Sequence, residues 1–160
     1  MTHTSLRQPL VLVALLALAA CASLGTPADR EHVSDLWQRM QGYTSWSQLE
    51  GWEGVVVSID GTHGDFVQVW MNDVAAADPK HLPVGSIVVK EGYRDEAGQK
   101  LNAITVMERR AAGYDPEHGD WFWGRFEKDG TPTHAGGASL CIDCHDEASG
   151  DDYSFLNDDL

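Results

Sequence analysis

The sequence predicts an α+β domain, mainly an antiparallel β-sheet with short helices at its periphery. Three observations carry that reading. Runs rich in β-branched and aromatic residues, closed by Gly, Pro, Asn or Asp, recur from Val55 to Phe126. Helical signals are short and fall before, between and after those runs. Close to the carboxyl end, Cys141, Cys144 and His145 form C-x-x-C-H, the attachment signature of c-type haem, so the last helix is a haem-attachment helix.

Residues 1–20 read as an export signal. A short n-region with Arg7 precedes an apolar run from Leu10 to Ala20. A bilayer needs about twenty apolar residues, so this run is too short to span one and fits a signal-peptide h-region. It ends Leu18-Ala19-Ala20-Cys21, which resembles a bacterial lipobox. That resemblance implies cleavage before Cys21 and acylation of that cysteine. In diderm bacteria it implies a lipid anchor in the outer membrane, facing the periplasm. Several acyl chains anchor stably where one does not. Ordinary cleavage with an incidental Cys21 is the alternative. Residues 21–45 then hold the lipidated N-terminus, a linker and the first helix, and residues 46–160 the haem domain.

The first helix opens at Thr26-Pro27-Ala28-Asp29, with Thr26 as N-cap, Pro27 at the first helical position and Asp29 completing a capping box. Val33, Leu36, Trp37 and Met40 form one apolar stripe, and Gly42 fits the stop. Val55–Ile59 reads as a strand closed by Asp60-Gly61. Phe66–Met71 is a second strand, with Phe66, Gln68 and Trp70 on one face and Val67, Val69 and Met71 on the other. His63 lies in the intervening loop, a distal-ligand candidate or a hydrogen-bonded turn residue. Asn72 can cap a short helix over Asp73–Ala77.

Ser86–Glu91 is a third strand. Alternation places Ile87, Val89 and Glu91 together and Ser86, Val88 and Lys90 opposite. On sequence physics alone Lys90 is an edge-strand lysine with its head in water. Leu101–Arg109 is a fourth strand, with Leu101, Ala103, Thr105 and Met107 facing one way and Asn102, Ile104, Val106 and Glu108 the other. Trp121–Phe126 is an aromatic strand turned by Lys128-Asp129-Gly130. Gly136-Gly137 approaches the haem helix, with Ser139 as its cap, and Tyr153 and Phe155 follow as candidates to cover the porphyrin.

The spacing of the haem motif has a physical basis. Two cysteines three residues apart lie on one face of a helical turn, so both sulfurs can form thioethers to the two vinyl groups of one porphyrin. This gives one covalent haem c per chain, with His145 under the ring as iron ligand. A buried dithiol, a redox disulfide and half a zinc site are the alternatives. Zinc needs two further ligands at regular spacing, and the sequence has no second C-x-x-C.

The bulk numbers agree with an exported haem domain. With 160 residues the chain suffices for one domain with a real core. A net charge of −14 argues against nucleic acid as a partner. It would attract a basic redox partner, or simply keep the protein soluble. A haem motif at the C-terminus of a strand-rich chain departs from the small helical electron carriers. Met40, Met71 and Met107 are the mature candidates for a sixth iron ligand, and none sits in a Pro- or Gly-flanked loop. The expectation is an open sixth position, which binds small molecules.

Several segments taken together resemble the cytochrome P-460 family. They are Ile87-Val88-Val89-Lys90-Glu91, Met107-Glu108-Arg109-Arg110, Gly113-Tyr114, Gly119-Asp120-Trp121, the haem motif and Tyr153-Ser154-Phe155. The resemblance implies a mainly antiparallel sheet, often in a homodimer, and five-coordinate haem with His145 as axial ligand. It implies that Lys90 is joined covalently to a meso carbon of the haem. It further implies oxidation of hydroxylamine to nitrous oxide or nitric oxide, with a soluble c-type cytochrome as electron acceptor. Related cytochromes c-prime-beta lack the lysine bond and bind nitric oxide in a more apolar pocket. Hydroxylamine-oxidising members use a distal carboxylate, and here that position falls near Thr105. Glu108 should face the other side, and His63 or Asp65 are substitutes. Phe66 and Trp70, if they line the distal side, favour the nitric oxide binder. A plain electron carrier is the third reading.

Overall fold

The computed structural model describes residues 23–148 and 152–157, so the export segment and Cys21 lie outside the described residues. Helix α1 spans Pro27–Arg39. The capping box forms as expected: Thr26 Oγ1 accepts from the Asp29 amide at 3.2 Å, and Asp29 Oδ2 accepts from the Thr26 amide at 2.8 Å. Met40 is the C-cap, and Gly42 takes the left-handed conformation (φ 79°) that leads the chain away.

Six strands follow: β1 (Val56–Val57), β2 (Phe66–Met71), β3 (Ile87–Tyr93), β4 (Leu101–Arg109), β5 (Trp121–Phe126) and β6 (Pro132–Gly136). They pair in sequence order, each antiparallel to the next, in one sheet. Helix α2 (Asp73–Ala77) is capped by Asn72, whose Oδ1 accepts from the Ala75 amide at 3.0 Å. Helix α3 (Ser139–His145) carries the haem motif. The predicted α+β class, mainly antiparallel with short peripheral helices, is the observed one.

Each face of the sheet buries its own core. Helix α1 lays Val33, Leu36 and Met40 against Trp70, Val89, Phe122 and Phe126. Glu108 ties this helix down: its carboxylate meets His32 Nε2 at 2.5 Å and Arg39 Nη1 at 2.9 Å. On the other face Val69, Met71, Val88, Met107 and Trp123 pack with Ile142 of α3 and Leu156. One-residue alternation thus separates a structural face from the face that receives α3.

The structure departs from the sequence expectations at five places, the first being the third strand, which runs Ile87–Tyr93 and not Ser86–Glu91. The Val55–Ile59 run yields only two paired residues because it is the sheet edge, where Val57 and Ile59 stay exposed. Strand β6 was not expected: Pro132 and Gly136 are poor strand formers, yet a proline at the first position of an edge strand costs no ladder hydrogen bond. Ser139 is the first residue of α3 and not its cap; Ala138 holds that place and makes no side-chain cap bond. A bulge at Gly92/Tyr93 pairs Tyr93 with Leu101, so Leu101 joins the α1-side core instead of following Ala103, Thr105 and Met107.

Candidate haem site

The register of the sheet assembles one row of side chains on the α3 side: Val69, Lys90, Thr105, Arg125 and His134 are successive Cα partners from β2 to β6. The adjacent row runs Met71, Val88, Met107, Trp123 and Gly136. Between these rows, α3 and the Phe155 turn lies a cleft of about 1000 Å³, counted to its open mouth. That is the size and apolar character of a site for a large flat ligand.

Lys90 is not an edge lysine. Strand β3 lies between β2 and β4, and Lys90 turns into the cleft. Burial pushes its ammonium below the ordinary lysine value, against the opposing pull of Asp60. An uncharged amine is the nucleophilic form of lysine.

His145 enters from the C-terminal end of α3. Its Nδ1 donates to the Tyr153 carbonyl at 2.7 Å, which leaves the lone pair on Nε2 for a metal. Trp123 and Phe155 hold the imidazole with ring centroids 4.6 and 5.3 Å away. Burial pushes its pKa down to about 4, so at neutral pH the ring is in the unprotonated state that metal ligation requires. Phe155 covers the cleft as expected, whereas Tyr153 packs on His118 at the outside.

Cys141 and Cys144 line the same cleft and form no disulfide. Burial pushes the Cys141 thiol up to about 11. Cys144 is also raised, by burial and then by Asp60, whose Oδ2 is 3.9 Å from its sulfur. Thiols held toward the protonated form are poorly suited to a zinc thiolate site. Among the described residues no group of three or more His, Cys, Asp or Glu gathers as a metal site.

His63 also reaches the cleft. Its carbonyl accepts from Asn102 Nδ2 at 3.1 Å, its Nδ1 lies 3.3 Å from Thr105 Oγ1, and its ring centroid is 6.2 Å from that of His145. Burial first, then Lys90, push its pKa down to about 3, so it is neutral. Phe66 and Trp70 are corrections: neither lines the cleft. Trp70 is buried on the α1 side against Tyr43, because it is one residue out of phase with Val69 and Lys90. Glu108 faces that side too, as expected, and Asp65 is exposed. Met40 lies in the α1-side core. Met107 does line the cleft, but it pairs with Trp123, on the His145 side. Sequence reasoning missed Arg125, His134 and Trp123. Arg125 shares strand parity with Trp121 and Trp123, and that phase was the available signal.

These residues fit a haem. Two free thiols and a neutral imidazole with a free Nε2 stand on one helix over an apolar cleft, and the buried Nε1 of Trp123 in its wall has no hydrogen-bond partner among the described residues. The family model described as Cytochrome P460 matches residues 41–156. The chain belongs to the cytochrome P-460 family. As a member of this family it is a haem protein, and the matched span takes in all six strands and the haem-motif helix. Helix α1 precedes the match but packs into the same core. No curated protein matches the chain.

Proposed function

We propose that this protein carries one covalent haem c with an open distal position and oxidises hydroxylamine to nitrous oxide or nitric oxide. The observation that carries the reading is Lys90, held in an interior strand with its amine in the cleft that Cys141, Cys144 and His145 share. In this reading Cys141 and Cys144 would hold the haem through thioethers, and Lys90 would supply the amine for a further covalent link to the ring. When bound, the haem supplies the redox-active iron, with an electronic structure altered by distortion of the ring. His145 ligates it through Nε2. His63, neutral and steadied by Thr105, takes the proton-acceptor role that relatives give to a carboxylate. Electrons leave to a soluble c-type cytochrome. The protein is exported and tethered through acylated Cys21 to the outer membrane, facing the periplasm.

The second reading is a nitric oxide binder of the cytochrome c-prime-beta type. It is favoured by the absence of any carboxylate in the row Val69, Lys90, Thr105, Arg125, His134. Hydroxylamine turnover by the purified holoprotein, with and without Lys90→Ala, decides between them. Turnover in the wild type that disappears in the variant supports the enzyme. Nitric oxide binding without turnover in either supports the binder. For the anchor, globomycin should accumulate the unprocessed precursor, and unimpeded processing would reject acylation at Cys21.

A further inference from the structure

The cleft wall contains a cation that neither reading employs. Arg125 lies on interior strand β5, between Thr105 and His134 in the cavity-facing row. Its carbonyl accepts from Thr133 Oγ1 at 3.2 Å, so the backbone is fixed. Its guanidinium makes no ion pair among the described residues, whereas Arg39 pairs with Glu108 and Arg109 with Asp152. Among the described residues no carboxylate side chain forms an ion pair with this cavity arginine. A half-buried guanidinium without a counter-ion is costly unless an anion arrives from outside the chain.

We propose that Arg125, with His134 beside it, is a carboxylate-binding subsite of the cavity and holds one propionate of the haem. A haem carries two such carboxylates, and a planar guanidinium fork matches a carboxylate in bidentate geometry. His134 stands on edge strand β6 at the rim, where a ring substituent meets solvent. Thr105 separates Arg125 from Lys90 in the row, so their Cα atoms lie about 10 Å apart across two inter-strand spacings. They therefore act on different edges of one ring: Lys90 on a meso carbon, Arg125 on a propionate. The assignment needs only the haem, not hydroxylamine chemistry.

The test is the midpoint potential of the holoprotein across neutral pH, in the wild type, Arg125→Gln and Arg125→Lys, with ferric nitrite affinity measured alongside. Among the described residues the titratable groups that interact with Arg125 are His134 on β6, His63 in the β1–β2 loop and Cys141 on α3, with Lys90 two strands away in the same row. With the propionate clamped, the wild-type potential is flat around neutral pH. Arg125→Gln leaves an uncompensated carboxylate that favours ferric iron. Its potential falls and gains a pH-dependent step, Arg125→Lys restores most of the wild-type behaviour, and nitrite affinity stays within about two-fold. A tenfold loss of nitrite affinity at unchanged potential would mean that the guanidinium serves an anion on the iron, and would overturn the proposal. So would an unchanged potential and pH profile in Arg125→Gln. If Arg125→Gln yields no holoprotein, a neutral-pH propionate step in the wild type, or Arg125→Lys behaving as a complete loss of the clamp with thioethers intact, overturns it instead.

Discussion

Lys90 and Thr105 are Cα partners across the β3–β4 ladder, and both side chains enter the cleft from interior strands. Thr105 Oγ1 sits 3.4 Å from the Lys90 carbonyl and 3.3 Å from His63 Nδ1, so the position nearest the expected distal carboxylate instead joins the lysine strand to the histidine loop. Lys90 thereby lines the same cleft as the two cysteines.

From that placement, intact and peptide mass spectrometry should find Lys90 joined to the haem in the wild type. Lys90→Ala should retain both thioethers and show an ordinary c-type Soret band. An unmodified Lys90 in a wild type that already has an ordinary Soret band would remove the lysine from the electronic structure of the site.

Glu108 provides the opposite control. It is 6% exposed, three residues from Thr105, and bound to His32 and Arg39 on the far face of the sheet. Glu108→Gln leaves Arg39 short of its anion and weakens the bond to His32, and should cost roughly 1–3 kcal/mol, a range set by charge-assisted hydrogen bonds with one partner partly in water. Denaturant unfolding reads that loss, while the optical spectrum and any hydroxylamine turnover should stay at wild-type level. A change in turnover without a change in stability would place this carboxylate in the chemistry.

The contrast between these two residues marks how far the sequence could be read. Their faces were legible, because alternation fixes which neighbours share a side: Phe66–Met71 and Trp121–Phe126 are strands with the expected bounds. Which face would hold the haem was not legible, because it depends on where α1 and α3 dock. Trp70 was accordingly offered to the cleft and found under α1. Lys90 was assigned to water for a related reason, since the interior position of β3 is a property of the whole sheet and not of its own residues. The thioether and iron-ligand positions were legible because their spacing is local to one helical turn.

The pH dependence of stability follows from His63. Its folded pKa, about 3, lies below the ordinary 6.5, chiefly through burial. Between those values the unfolded chain binds a proton that the folded chain refuses, so stability falls as pH drops below about 6.5. One such group contributes at most about 1.4 kcal/mol per pH unit. Denaturation midpoints of the holoprotein between about pH 7 and pH 5 should show that decline, and His63→Gln should flatten it. His145, if it binds iron, does not titrate in the folded holoprotein and is no substitute source. An unchanged slope in His63→Gln would mean that the loop opens and hydrates the ring before the protein unfolds.

The same histidine is held in place by an absence of side chain. A Cβ on Gly92 would fall 1.8 Å from the His63 carbonyl oxygen, and one on Gly64 2.6 Å from the Tyr93 carbonyl oxygen, so the β1–β2 loop packs directly on bare backbone of β3. Since Asn102 already fixes the His63 carbonyl, the loop cannot yield by rotating one side chain. Gly92→Ala should therefore push His63 away from Thr105 and cost roughly 1–3 kcal/mol, the range of overpacking in a rigid site. Nitric oxide affinity and the ferric spectrum should change with it, while both thioethers remain. Gly137→Ala is the matched control: its Cβ would meet nothing closer than 3.5 Å, and its effect should stay within about 0.5 kcal/mol. Equal effects of the two substitutions would show that glycine content, and not the seat of His63, governs this region.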